Sequence, residues 1–173
     1  ARTVRGAMTT GNLFDMLGVR PAVGRFFGAD EDRPTEGSPV AVLGHAFWRS
    51  EFGGQRDVLG QEIRLGRTTY TIVGAAPPGF TGVNLERVDV WLPVSVAARE
   101  VIDENFHTAR FVRWIQVLAR LAPGATPAQA NVQATSVWHA YARGEDDSEA
   151  LLKRRPRVEI ASILEERGPN RTD

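Results

Sequence analysis

Three histidines, His45, His107 and His139, and two acidic clusters, Asp30-Glu31-Asp32 and Asp146-Asp147, are the residues of this 173-residue chain whose types could do chemistry. Imidazoles with carboxylates could hold zinc or non-haem iron, or share general acid–base work. Their spacing argues against both. The histidines lie far apart and none belongs to an HExxH or HxxxH pair, so they read as surface or helix-end side chains. A calcium loop alternates its ligands around a central glycine and closes on a late Glu. Neither acidic run does so, and both read as solvated loops. The glycines of "GVRPAVGRFFG" fit neither GxGxxG nor GxxxxGK[ST], so no phosphate cradle is implied. No GxSxG elbow is present. "KRRPR" (Lys153–Arg157) adjoins "GEDDSE" and reads as a solvated turn, and the "NRT" sequon (Asn170–Thr172) is short enough to arise by chance. Trp48, Trp91, Trp114 and Trp138 could line a ligand cleft but read first as core. The sequence therefore offers no catalytic, cofactor-binding or metal-binding residue and calls for no cofactor.

The bulk properties narrow the classes further. Lys and Arg together number 21, as do Asp and Glu, so the formal net charge is zero. A nucleic-acid partner would need a basic face, and none is indicated. With no cysteine, disulfides, thiolate catalysis and Cys-ligated metals are excluded. No apolar run reaches the roughly 20 residues of a membrane helix. The chain begins at Ala1 without a signal-peptide pattern, as expected of a piece of a larger protein.

Several elements are nonetheless readable. Arg2 to Met8 alternates as a strand would. Leu13, Phe14 and Leu17 have helical spacing, stopped at Gly18. Gly24 to Phe27 is extended, Gly28 to Pro39 is a loop, and "VAVL" (Val40–Leu43) is a short buried strand. Ala46 to Phe52 is a short helix ended by Gly53-Gly54. Ile63 and Leu65, then Tyr70 and Ile72, flank the turn Gly66-Arg67 as a β-hairpin. "VDVWLP" (Val88–Pro93) is one more strand. Farther on, Phe111 to Leu121 reads as a strand with Ile115, Val117, Ala119 and Leu121 on one face. Thr126, Pro127 and Gln129 have the N-cap, N1 and N3 chemistry of a capping box. Ala130, Ala134, Val137, Trp138 and Tyr141 fall on one helical face. Arg157 to Leu164 alternates as a half-buried strand. The expected class is α+β: a β-rich part over 1–97 and a strand–helix–strand part over 98–173.

The order of these pieces carries a resemblance. "TTGNLFDMLGVRPAVGRFF", "SPVAVLGHAFWRSEFGG", "DVLGQEIRLGRTTYTIVGAAPPGF", "VDVWLPVS" and "RWIQVLARLAPGATPAQANVQ" together resemble the extracytoplasmic core domain of MacB-type ABC-transporter permeases. The duplicated bacterial permeases carrying that domain are the most similar set. The resemblance implies a mostly-β sabre-like subdomain over 1–97, followed by the C-terminal part of a porter-like α/β subdomain over 98–173. In the family an earlier porter segment precedes the sabre, and here only Arg2 to Met8 stands in its place. An exposed sheet edge and uncovered apolar surface are expected as a result.

The resemblance also implies a non-enzymatic domain on the periplasmic or extracellular face of the bacterial inner membrane. It would pass ATP-driven conformational change to an envelope substrate or partner protein. Its partners would be the parent permease's membrane helices, a cytoplasmic ATPase subunit or domain, and a second permease copy. Two readings compete with this. A stand-alone periplasmic ligand-binding or adaptor module for a lipid, peptide or protein predicts a concave apolar pocket. An enzyme predicts a carboxylate and a histidine converging in a cleft.

Overall fold

A computed structural model describes residues 3–84, 86–106, 115–143, 153 and 157–162. The chain divides into two compact units, residues 1–114 and 115–173.

The first unit is built on one six-stranded mixed sheet. Its strands are β1 (Gly6–Thr9), β2 (Val23–Gly24), β3 (Val40–Leu43), β4 (Glu62–Leu65), β5 (Thr68–Ala75) and β6 (Val90–Pro93). The order is β1-β6-β3-β5, with β2 and β4 both antiparallel to β5. The pairs β1–β6 and β3–β5 are parallel, and β3–β6 is antiparallel. All four residues of β3 and of β6 are buried, because both faces of these strands are covered. Such strands read as continuous apolar runs, and "VAVL" forms the one expected. The expected hairpin also forms, with Ile63 opposite Tyr70 and Leu65 opposite Thr68. Glu62 and Arg64 face solvent on β4 while Ile63 and Leu65 turn inward.

Three helices cover this sheet: α1 (Leu13–Met16), α2 (His45–Glu51) and α3 (Val94–Val101). Ala41, Leu43, Tyr70, Ile72, Val90 and Leu92 form one core with Phe47 and Trp48 of α2 and Ala97 of α3. Phe14 of α1 packs in an aromatic group: it stacks on Phe26 at 3.9 Å and meets Phe27 and Trp91 edge-on at 5.5 and 5.9 Å. The two edge-on contacts suit the ring quadrupoles. Helix α2 stops where expected. Gly53 and Gly54 adopt φ of 61° and 70°, a region that a Cβ disfavours. Helix α3 is missing from the sequence reading. It packs on β1 and β6, so residues 98–106, expected to belong with the second part, fold with the first unit.

The second unit contains α4 (Pro127–Arg143). Its expected capping box is present: Thr126 N donates to Gln129 Oε1 at 2.9 Å, and Gln129 N donates to Thr126 Oγ1 at 3.3 Å. The buried face differs from the expected one. Ala130, Ala134, Trp138 and Ala142 turn inward, whereas Val137 and Tyr141 are exposed. The apolar positions fill more than one face, and only the stripe meeting neighbouring chain is covered.

The flanking strands are a further correction. Residues 115–122 and 157–162 are not paired as strands among the described residues. A strand needs a partner for its backbone groups, and alternation alone supplies none. Over 115–121 the side facing inward is also the other one: Leu118 is half-buried, while Ile115, Val117 and Leu121 are exposed. Positions 111–114, 163 and 164 of these expected strands lie outside the described residues. The chain is α+β, with a mixed sheet and helices on it.

Packing dominates this fold, so truncation at the centre should be far more costly than at the edge. Leu43→Ala, at 0% exposure in β3, should destabilise by about 2–5 kcal/mol. Arg64→Ala on the solvent side of β4 should stay within about 0.5 kcal/mol. Urea unfolding midpoints compared at constant slope check both values.

Candidate functional site

The acidic loop before β3 holds a dense polar network. Helix α3 begins after Pro93 at its N-cap position and has no side-chain cap of its own. Its first N–H groups therefore need an acceptor from elsewhere. Asp32 supplies one: Oδ1 accepts from Ser95 N at 2.9 Å, across 63 positions of sequence. Its Oδ2 accepts from Gly11 N at 3.2 Å, in the turn between β1 and α1. Gly11 is required there, since a Cβ would collide with the Gly28 carbonyl. A carboxylate at a helix N-terminus is also favoured by the helix dipole.

The neighbouring Glu31 is held as firmly. Arg25 grips it bidentately, with both N–O distances 2.7 Å, and Gly28 N donates to it at 3.2 Å. The Arg25 hydrogen bond is the main reason its carboxyl sits below the ordinary value of 4.5. The guanidinium is shifted up by the same bond. Asp30 pairs at the surface with Arg33 at 2.6 Å. Of this cluster, expected to be solvated, Glu31 and Asp32 are partly buried and fix the loop against two distant segments.

A second polar contact lies beside an apolar cleft. Glu100 of α3 accepts from Arg67 N at 2.7 Å and from Thr68 Oγ1 at 3.0 Å, which ties α3 to the β4–β5 turn. The Arg67 backbone bond is the chief cause of its lowered pKa. Glu100 borders a cleft of about 280 Å³ that Val4, Met8, Leu65, Tyr70, Leu92 and Val101 also line. That volume falls just under the about 300–1,000 Å³ of small-molecule sites, and the one carboxylate facing it already holds two donors. Burial raises the Tyr70 phenol above its ordinary value, so it stays neutral.

The other singled-out residues that are described sit in local settings, each within its own unit. His45 starts α2 and meets Trp48 edge-on at 5.7 Å, and His139 lies on α4 beside Trp138. His107, Asp146, Asp147, Trp114 and the sequon fall outside the described residues, as does the middle of Lys153–Arg157. Trp48 and Trp91 are core, and Trp48 Nε1 donates to Gln55 O at 2.9 Å. Among the described residues no group of His, Asp and Glu could hold a metal ion. The buried Ser95 hydroxyl has no hydrogen-bond partner among them, and a serine nucleophile needs a base in reach. No described helix is long and apolar enough to cross a membrane. The sequence reading missed Gly11, Asp32, Ser95 and Glu100 as partners. The signal for the first three was chemical: a helix starting on proline, without a cap, has to borrow one.

Comparison with known proteins points one way. The sequence profile of the MacB-like periplasmic core domain matches residues 1–137. Two curated relatives are "Macrolide export ATP-binding/permease protein MacB" of Chlorobium phaeobacteroides and of Chlorobium luteolum. The first is 32% identical over 107 residues, 60% of this chain and 16% of its own length. The second is 30% identical over 129 residues, 74% of this chain and 18% of its own length. The matched stretches are thus a small part of either relative. The fold is similar to the periplasmic region of MacB from Actinobacillus actinomycetemcomitans, with a TM-score of 0.56 at 12% identity. That alignment covers 90% of this chain and 66% of the other.

The polar network makes two predictions. Asp32→Ala removes acceptors for two backbone donors and should lower stability by about 1–3 kcal/mol. Asp32→Asn keeps one acceptor and should lose less, as denaturant unfolding would show. For Glu31 the folded pKa lies below the ordinary 4.5, so the unfolded state takes up the proton first as pH falls. Its contribution is therefore present above that value and lost as pH drops through the folded pKa. Glu31→Gln should flatten the acid limb of a plot of unfolding free energy against pH.

Proposed function

The chain belongs to the family of MacB-like periplasmic core domains, and from that premise we propose that it is the extracytoplasmic domain of an ABC-transporter permease. In this reading it is a non-catalytic part that passes ATP-driven movement of the membrane-spanning region to an envelope substrate or partner protein. It stands on the outer side of the bacterial inner membrane. It works with the parent permease's membrane helices and a cytoplasmic ATPase, and with a second permease copy. The β-rich first unit takes the sabre-like role, and the second unit contributes to the porter.

The observation that carries the reading is the profile match over residues 1–137. Two relatives that span both an ATP-binding and a permease function agree with it. The local chemistry supports it as well. The polar groups drawn together by the fold, Asp32 with Gly11 and Ser95, Glu31 with Arg25, and Glu100 with Thr68, are spent on backbone and loop anchoring. A domain that relays displacement needs parts that move as packed units, since close-packed interiors deform little.

The absence of cysteine from the chain gives a direct test. A spin label at Gln133→Cys, on the exposed side of α4, is paired with a second label in the membrane-spanning part of the parent protein. The expected result is a shift in the distance distribution between the nucleotide-free and ATP-trapped states. Identical distributions while ATP is being hydrolysed would overturn the proposed role.

A further inference from the structure

Within the segment 157–162, residues 157–160 alternate like a strand, with Val158 and Ile160 half-buried and Arg157 and Glu159 exposed. Its described partner is a helix. Val158 N donates to Thr135 Oγ1 at 2.9 Å, and Ile160 N donates to Asn131 Oδ1 at 2.7 Å. The Thr135 hydroxyl also reaches back to Val158 O at 3.5 Å. As residue numbers rise along the segment they fall along α4, so the two run antiparallel. The geometry is commensurate. Residues four apart on a helix, as Asn131 and Thr135 are, are separated by about 6 Å along the axis. Alternate residues of an extended chain are separated by about 6.7 Å. Both bonds can therefore form together with neither element bent.

Only one register meets every demand. A shift of one residue turns Arg157 and Glu159 inward and carries Val158 and Ile160 outward. A shift of two toward the N-terminal end of α4 sets Pro156 opposite Thr135. Pro156 lies outside the described residues, but like any proline it has no N–H to donate. A shift of two the other way puts the polar Ser162 in the seat of Ile160.

We infer that Asn131 and Thr135 are a clasp that fixes the 157–162 segment in a single register on α4, so that helix and segment move as one element. A pull on the chain beyond residue 162 draws the segment toward the N-terminal end of α4. That is the direction in which Pro156 would cost the clasp one of its two donors. The mechanical consequence rests on the transmitting role proposed above, whereas the register rests on the hydrogen bonds alone.

Amide hydrogen exchange on the whole chain, read residue by residue by NMR, tests the clasp whether or not the parent protein transports anything. The amides of Val158 and Ile160 should exchange slowly. Thr135→Val, which keeps the shape but removes the acceptor, should speed exchange at Val158 about threefold to tenfold, and Thr135→Ser should not. Asn131→Leu should do the same at Ile160, with Asn131→Asp preserving protection. Free exchange of both amides in the unsubstituted chain would overturn the inference, as would a Val158 rate unmoved by Thr135→Val. Should Thr135→Val also release the amides of α4, Thr135→Ser decides: protection kept at Val158 supports the clasp, and protection lost there refutes it.

Discussion

The placement of α3 and of the acidic loop in the first unit depends on one carboxylate standing between two backbone N–H groups. Asp32 reaches Ser95 N at the start of α3 and Gly11 N before α1, and so joins three segments that are remote in sequence. The constraint is set by Pro93. It ends the buried strand β6 and occupies the N-cap position of α3, where it provides no side-chain oxygen. The orphan donors of a partly buried helix end cannot be left to water, so the acceptor comes from the acidic loop. Once Asp32 is there, the loop is committed to lie between α1 and α3. Arg25 then fixes its flank through Glu31.

This arrangement explains why an acid-rich stretch can look like a ligand site and still be structural. A metal or catalytic carboxylate needs an unfilled coordination or proton-transfer role directed at a reacting group. Asp32 and Glu31 instead direct both oxygens at donors of the chain itself. Glu100 follows the same pattern at the opposite end of α3, where it joins the helix to the hairpin turn. Helix α3 is therefore pinned at both ends by charge-assisted bonds and along its length by Ala97 and Ala98 against the sheet. Bonds of this kind are stronger than neutral ones, and here they fix the placement of an element whose apolar contacts are small.

What the sequence showed depended on how far apart the interacting residues lie. The Thr126–Gln129 capping box, the Gly66-Arg67 hairpin and the buried "VAVL" strand are decided within a few residues, and all three are present. The Asp32–Ser95 bond spans 63 positions and leaves no local trace. Helix α3 was missed for a related reason: "LPVSVAARE" has no cap signal, because its cap is elsewhere. The second unit shows the complementary failure. Alternation identified the inward residues Val158 and Ile160 correctly, but periodicity cannot tell whether the partner is a strand or a helix. At 115–121 even the inward face was missed, since apolar residues occupy both sides and neighbouring chain selects one.

The two units therefore handle backbone polarity in different ways, and the difference bears on how each resists load. In the first unit, buried strands pair with one another, so displacing one strand breaks several ladder bonds at once along with the apolar packing on both faces. In the second, an extended segment is held by side chains of α4 at two points one helical turn apart. A two-point hold fixes position along the helix without the breadth of a sheet, so its firmness comes from register. In the inferred clasp, a shift either way along α4 would lose a donor or seat a serine in place of Ile160. Placement in the first unit thus rests on packed volume, while that of the segment in the second rests on two hydrogen bonds to α4.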